Sequence, residues 1–216
     1  MIIYFNDIKY PSKEISNPQY NNLEIHFSSS QCVPDSIKGI LSCKDNKWNF
    51  DIKEKIITTK SAKHQLKSMK KIAIILESPH KDEYSQNFKP ILPAQGKTGR
   101  QLEKYLVNRA FIRCLDESQK YLVLLINPVQ LQTSCYNLLT EKSLPVERNF
   151  TQIVFRFLFG KRGVNLREDF INRLKIYSPH IIVNCCTSSF KKTVETAIKE
   201  ANYMDIKCDK HPSVWY

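Results

Sequence analysis

Residues Lys71–Tyr84 read KIAIILESPHKDEY, and the fold turns on how the first half of this stretch gives way to the second. Ile72 to Leu76 is an unbroken apolar run, short enough for a strand buried on both faces. It stops at Glu77-Ser78-Pro79-His80, with Asp82 and Glu83 close behind. A carboxylate, a hydroxyl and an imidazole therefore crowd the strand's carboxyl end. Pro79 fixes φ and disfavours helix at Ser78, so Glu77 and His80 project from a stiff turn. In an open parallel sheet this is the end where a ligand crevice opens. The plain alternative is an ordinary strand exit with its polar residues in water.

Downstream, strands alternate with helices. The pattern predicts a helix near Thr98–Ile112, a strand at Tyr121–Ile126, and helices near Glu147–Phe159 and Leu166–Tyr177. A strand at His180–Cys185, a helix at Ser188–Ala201 and a short strand at Met204–Cys208 complete it. Four strands joined by helical crossovers predict an α/β three-layer sandwich around a four-stranded parallel sheet. Upstream, residues 1–57 alternate polar and apolar residues, with strands expected at Met1–Phe5, Leu23–Phe27, Gly39–Cys43 and Lys47–Ile52. They read as a β-rich N-terminal extension or small subdomain, leaving 58–216 as the main domain. Between the two parts, Lys60, Lys63, Lys67 and Lys70 recur at helical spacing. That is either a solvated helix face or a phosphate-contacting one.

The net charge of +12 in 216 residues favours a polyanionic partner. Residues 1–71 hold 12 Lys/Arg against 7 Asp/Glu, and residues 72–216 hold 21 against 14, so the excess is spread through the body. No apolar stretch approaches a membrane span and no signal-peptide pattern opens the chain, so no membrane association is expected. Seven cysteines, two of them adjacent in the apolar run at Cys185-Cys186, read as reduced thiols of a cytoplasmic protein. There is no C-x-x-C pair, and Cys32 with Cys43 has no diagnostic metal spacing. Gln95-Gly96-Lys97-Thr98 imitates the end of a P-loop, but Ile91 stands where that motif needs glycine.

Two further strand ends carry chemistry. The Tyr121–Ile126 run ends at Asn127-Pro128, where a carboxamide can read a nucleobase edge or cap a turn. The last strand leads to His211-Pro212-Ser213. An imidazole there can stabilise charge on a leaving group and a serine can hold a phosphate, or the pair can be an ordinary tail.

Together these segments resemble the uracil-DNA glycosylase superfamily over roughly Lys71–Tyr216. That superfamily has a first motif G-[QEIM]-[DNA]-P-[YG], a central strand ending in Asn, and a late H-P-S. Here the counterparts are Leu76-Glu77-Ser78-Pro79-His80, Leu124-Leu125-Ile126-Asn127-Pro128-Val129 and His211-Pro212-Ser213. The iron–sulfur branch is locally the most similar: its G-E-A-P-G-E-D-E resembles Leu76–Glu83. Its P-F-x-G-x-x-G-x-x-L resembles Pro93–Leu102. The resemblance implies a monomeric DNA glycosylase that flips a base out of DNA and leaves an abasic site.

Carried over residue by residue, the resemblance implies catalytic roles among Glu77, Ser78, His80, Asp82 and His211. It implies base recognition by Asn127 and Ala94, and DNA contacts from Pro79, Gly96, Lys97, Ser213 and Trp215. Trp215 falls where family members insert a wedge into the duplex; packing as a C-terminal anchor is the alternative. The departures point away from plain uracil. Leu76 replaces the leading glycine, Ser78 replaces the water-activating Asp or Asn, and Ala94 replaces a phenylalanine that stacks on uracil. Cluster cysteines have no counterparts, so no iron–sulfur cluster, other cofactor or metal is expected. A bulky modified pyrimidine would suit an enlarged site, as in defence against phage with modified DNA. A non-catalytic nucleic-acid or nucleotide binder of the same fold is the competing expectation, favoured by Ser78. A metal-dependent phosphoesterase using Glu77, Asp82 and His211 lacks a clear ligand set.

Overall fold

A computed structural model describes residues 2–11, 23–58, 66, 69–133, 137–139, 143–161 and 163–216. The strands are β1 Ile2–Phe5, β2 Ile8–Pro11, β3 Glu24–Phe27, β4 Ser36–Lys44, β5 Lys47–Ile56, β6 Lys70–Ile75 and β7 Lys120–Ile126. They continue with β8 Asn137–Leu139, β9 Ser143–Pro145, β10 Ile181–Asn184 and β11 Ile206–Cys208. The helices are α1 Lys97–Tyr105, α2 Arg148–Phe159, α3 Leu166–Tyr177 and α4 Ser188–Glu200. Of the basic helical stripe expected before β6, Lys60, Lys63 and Lys67 lie outside the described residues, while Lys70 opens β6.

The opening apolar run is the middle of the main sheet. On β6, Ile72 and Ile74 point into one core, and Ala73 and Ile75 into the other. That two-residue alternation with no polar face is what a strand covered on both sides requires. One core packs α1 and the short 3-10 turns after it, through Leu102, Leu106, Phe111 and Ile112. The other packs α2, α3 and α4, through Val154, Phe155, Leu158, Phe170, Leu174, Val194 and Ile198. The result is an α/β fold in three layers.

The expected four-stranded parallel sheet is corrected to a six-stranded mixed one, in the order β11-β10-β6-β7-β4-β5. β7, β6, β10 and β11 run parallel, whereas β4 lies antiparallel to both β7 and β5. The sheet thus crosses the boundary expected at 57/58. β4 pairs along β7, whose edge would otherwise be open, and buries Ile37 and Leu41 against the two cores. Lys38 ties this hairpin to α1 by bridging Glu54 and, at 2.5 Å, Glu103. The β4–β5 turn is Asp45-Asn46, both residues with positive φ, the two-residue geometry that suits strand twist. Asn6-Asp7 does the same between β1 and β2. These three N-terminal strands form a separate sheet, β2-β1-β3, whose Ile3, Ile25 and Phe27 join the α2–α4 core.

Candidate functional site

The order of the parallel strands puts a switch point between β6 and β10, because the crossover from β6 runs to one side and that from β10 to the other. Loops leaving two such strands diverge and open a crevice. A cleft of about 410 Å³ lies there, within the range of small-molecule sites. Glu77, Ser78, His80, Asp82 and Glu83 line it from the β6 exit, and His211 and Ser213 from the C-terminal tail. The first turns of α1 (Gly96, Lys97, Thr98), α2 (Arg148, Thr151) and α4 (Thr187, Phe190) complete most of the wall. The partial positive charge of three helix starts therefore lies along it.

Glu77 is anchored across the switch point. Its Oε2 accepts from Thr187 Oγ at 2.5 Å and from the Thr187 backbone N–H at 3.2 Å. Burial raises its pKa, while Thr187 and the charge of Arg148 pull it back down. Glu83 is only 4% exposed. Backbone hydrogen bonds from Ala94 and His80 reach its carboxyl, yet burial dominates and pushes the pKa up to about 7. Asp82 sits half-exposed at the rim with its carboxylate 3.2 Å from His80 Nδ1. A β-carbon on Gly96 would lie 2.5 Å from Asp82 Oδ2, so the glycine lets that carboxylate approach the start of α1.

His211 caps the last 3-10 turn. Its Nδ1 accepts the Ser213 backbone N–H at 3.3 Å and lies 2.9 Å from Ser213 Oγ. With that lone pair occupied, the proton of the neutral ring belongs on Nε2. Burial holds the pKa down to about 4, so at neutral pH the ring is an uncharged donor.

Three buried side-chain atoms of the lining have no hydrogen-bond partner among the described residues: Ser78 Oγ, Glu83 Oε2 and Thr133 Oγ1. Buried polar atoms are normally satisfied, and a group of exceptions in one cleft asks for a ligand.

Four residues expected at the site are not part of its wall. Pro79 is buried behind the turn it stiffens. Ala94 is 1% exposed and packs in the α1 core, so it does not enlarge the cleft. Among the described residues, the aromatic side chain that lines the cleft is Phe190. Asn127 is 2% exposed, and its main chain is held by a buried network. Its N–H donates to Asp35 Oδ1 at 3.4 Å and its carbonyl accepts from Arg173 Nη2 at 3.1 Å. Asp35 in turn accepts from Arg173 Nη1 at 2.5 Å and from the Tyr177 hydroxyl at 2.9 Å.

Trp215 is the fourth, 2% exposed and an anchor rather than a wedge. Its Nε1 donates to the Lys210 carbonyl at 2.9 Å, and the Arg109 guanidinium stacks 4.8 Å from its ring. Arg109 also forks onto Asp209, at 2.9 and 2.5 Å. The exposed hydrophobic residues of the tail are its neighbours Val214 and Tyr216.

Sequence reasoning missed Thr187, Thr133, Arg148, Thr151, Gln152 and Phe190 as cleft residues. Thr187 carried a signal, since a Thr before Ser188-Ser189 at a strand exit is a helix-start pattern. Thr133 carried none. Among the described residues, no three His, Cys, Asp or Glu side chains gather as a metal site, and no helix is long and apolar enough to cross a membrane. No protein-family model, curated protein or solved structure matches the chain.

Proposed function

We propose that this protein is a DNA glycosylase with a uracil-DNA glycosylase-like fold, hydrolysing the N-glycosidic bond of a flipped-out modified or damaged base. The observation that carries the reading is the meeting of Glu77 and a neutral His211, from opposite ends of the parallel sheet's chain order, in one cleft. Breaking such a bond leaves positive character on the sugar and negative charge on the departing base. Glu77, with Oε2 anchored by Thr187, keeps Oε1 for a water molecule. The water oxygen bonds to C1′ as the C1′–N bond breaks, Glu77 takes the water proton, and the bonding pair leaves with the base. The Nε2–H of His211 hydrogen-bonds that base as its charge grows.

The base reaches the cleft only when it is everted from the stack. Lys97 and the helix starts hold the flanking phosphates, supported by the net charge of +12. The unpartnered Ser78, Glu83 and Thr133 atoms suit a polar base edge.

The test is release of abasic sites from duplexes carrying uracil or glucosylated hydroxymethylcytosine. The expected result is faster release of the modified base, with Glu77→Gln and His211→Ala each lowering the rate about 100-fold or more. Faster release of uracil overturns the modified-base part. Binding without any abasic product supports the non-catalytic reading, which Ser78 favours by lacking a carboxylate. Metal-dependent strand cutting overturns both.

A further inference from the structure

Of the buried polar atoms left unpartnered among the described residues, those of Ser78, Glu83 and Thr133 share the cleft, whereas Asn127 and Gln101 are outside its wall. Glu83 is the only one of the three that can carry charge. Its position is fixed: the main chain of residues 83 and 91 is paired, with Ile91 N–H donating to the Glu83 carbonyl at 2.8 Å. Its carboxyl is also held by the backbone of Ala94 and His80. Such an acid is preorganised to meet one ligand atom with Oε2, while the two hydroxyls can each donate or accept.

Resting on the glycosylase reading, we infer that Glu83 selects bases bearing an exocyclic amino group, cytosine-type or adenine-type, by accepting that N–H at Oε2, with Ser78 and Thr133 contacting the rest of the base edge. A carboxylate oxygen accepts from an amino group and repels a carbonyl at the same place. A charge-assisted bond of this kind is also stronger than a neutral one. An amino-bearing base therefore binds better as Glu83 ionises, and a carbonyl-bearing base binds better when it is protonated. Because burial places its titration near neutrality, the preference is pH-dependent in an accessible range.

The experiment measures dissociation constants of the full chain for oligonucleotides with 5-hydroxymethylcytosine, 5-hydroxymethyluracil or an abasic analogue at one position. Each carries a 2′-fluoroarabino sugar, which resists cleavage. The first two bases differ in bearing an amino group or a carbonyl at position 4. At about pH 8 the cytosine form should bind about tenfold more tightly than the uracil form, and at about pH 6 this ratio should shrink. Glu83→Gln should bring the ratio to within about twofold and remove its pH dependence. Thr133→Val, which removes a hydroxyl at similar volume, should weaken both bases and keep the ratio. Base-dependent binding whose preference is unchanged by Glu83→Gln, or by pH, overturns this inference and leaves the glycosylase reading standing. Equal affinity for both bases and the abasic analogue overturns the two together. An unaltered affinity in Thr133→Val removes the hydroxyl part of the base edge.

Discussion

Replacing Glu83 with Gln should expose a pH dependence of stability that the native pair of cleft groups conceals. Glu83 titrates at about 7 in the fold against an ordinary 4.5. Between those values the native state keeps a proton that the unfolded chain gives up, so stability falls as pH rises. His211 titrates at about 4 against an ordinary 6.5. There the unfolded chain holds the proton that the native state lacks, so stability rises with pH. Each fully developed slope is about 1.4 kcal/mol per pH unit, and the two have opposite signs. From pH 4.5 to 6.5 they nearly cancel.

Glu83→Gln removes only the falling slope. Other titrating groups are common to both proteins and drop out of the difference. The stability of the variant relative to the native protein should therefore climb by roughly 2–3 kcal/mol across that window. Urea unfolding followed by tryptophan fluorescence at intervals of pH, with the two chains compared at each, measures it. Curves that stay parallel would refute the reasoning, since they would mean that Glu83 is not held as a buried acid.

Thr187→Val removes the hydroxyl that donates to Glu77 and so raises the Glu77 pKa further. The acid limb of the pH–rate profile for abasic-site release should move to higher pH, and an unmoved limb would show that Thr187 does not tune Glu77. Trp215→Ala should lower stability by about 3 kcal/mol, measured by chemical denaturation, through loss of a buried aromatic ring. It should also reduce abasic-site release, because the tail that carries His211 loses its anchor; a stability change without a rate change would contradict the anchoring role. Lys97→Ala should weaken DNA binding uniformly across sequences and lower the slope of log affinity against log salt by about one, read from binding titrations.

The parallel core of this fold was legible because continuous apolar runs such as Ile72–Leu76 can be satisfied only by a strand covered on both sides. β4 and β5 also read as strands, but nothing local says which sheet they join. That depended on the open edge of β7, contributed by residues far along the chain. The Asp45-Asn46 and Asn6-Asp7 turns were readable hairpin signals that the alternation pattern alone did not exploit.

At the site, the polar residues that follow β6 were found in the cleft, as with Glu77 and Ser78, because the switch point opens beside that strand's end. Asn127 and Trp215 lie outside the cleft wall for a common reason, and the burial of Trp215 fits the anchor alternative. Asn127 ends the central-strand motif and Trp215 follows His211-Pro212-Ser213, but the surroundings of each come from distant partners: Arg109 for Trp215, and Asp35 with Arg173 for Asn127.

What the amino-acid order determined by itself was local: which runs must be buried, where they stop, and which chemical groups stand at the stops. Only the tertiary structure decided which of those groups share a cavity, that Thr187 holds Glu77, and that Glu83 lies buried with an oxygen unpartnered among the described residues. Burial and pairing between remote segments are properties of the packed chain, and they set the protonation states on which the proposed chemistry depends.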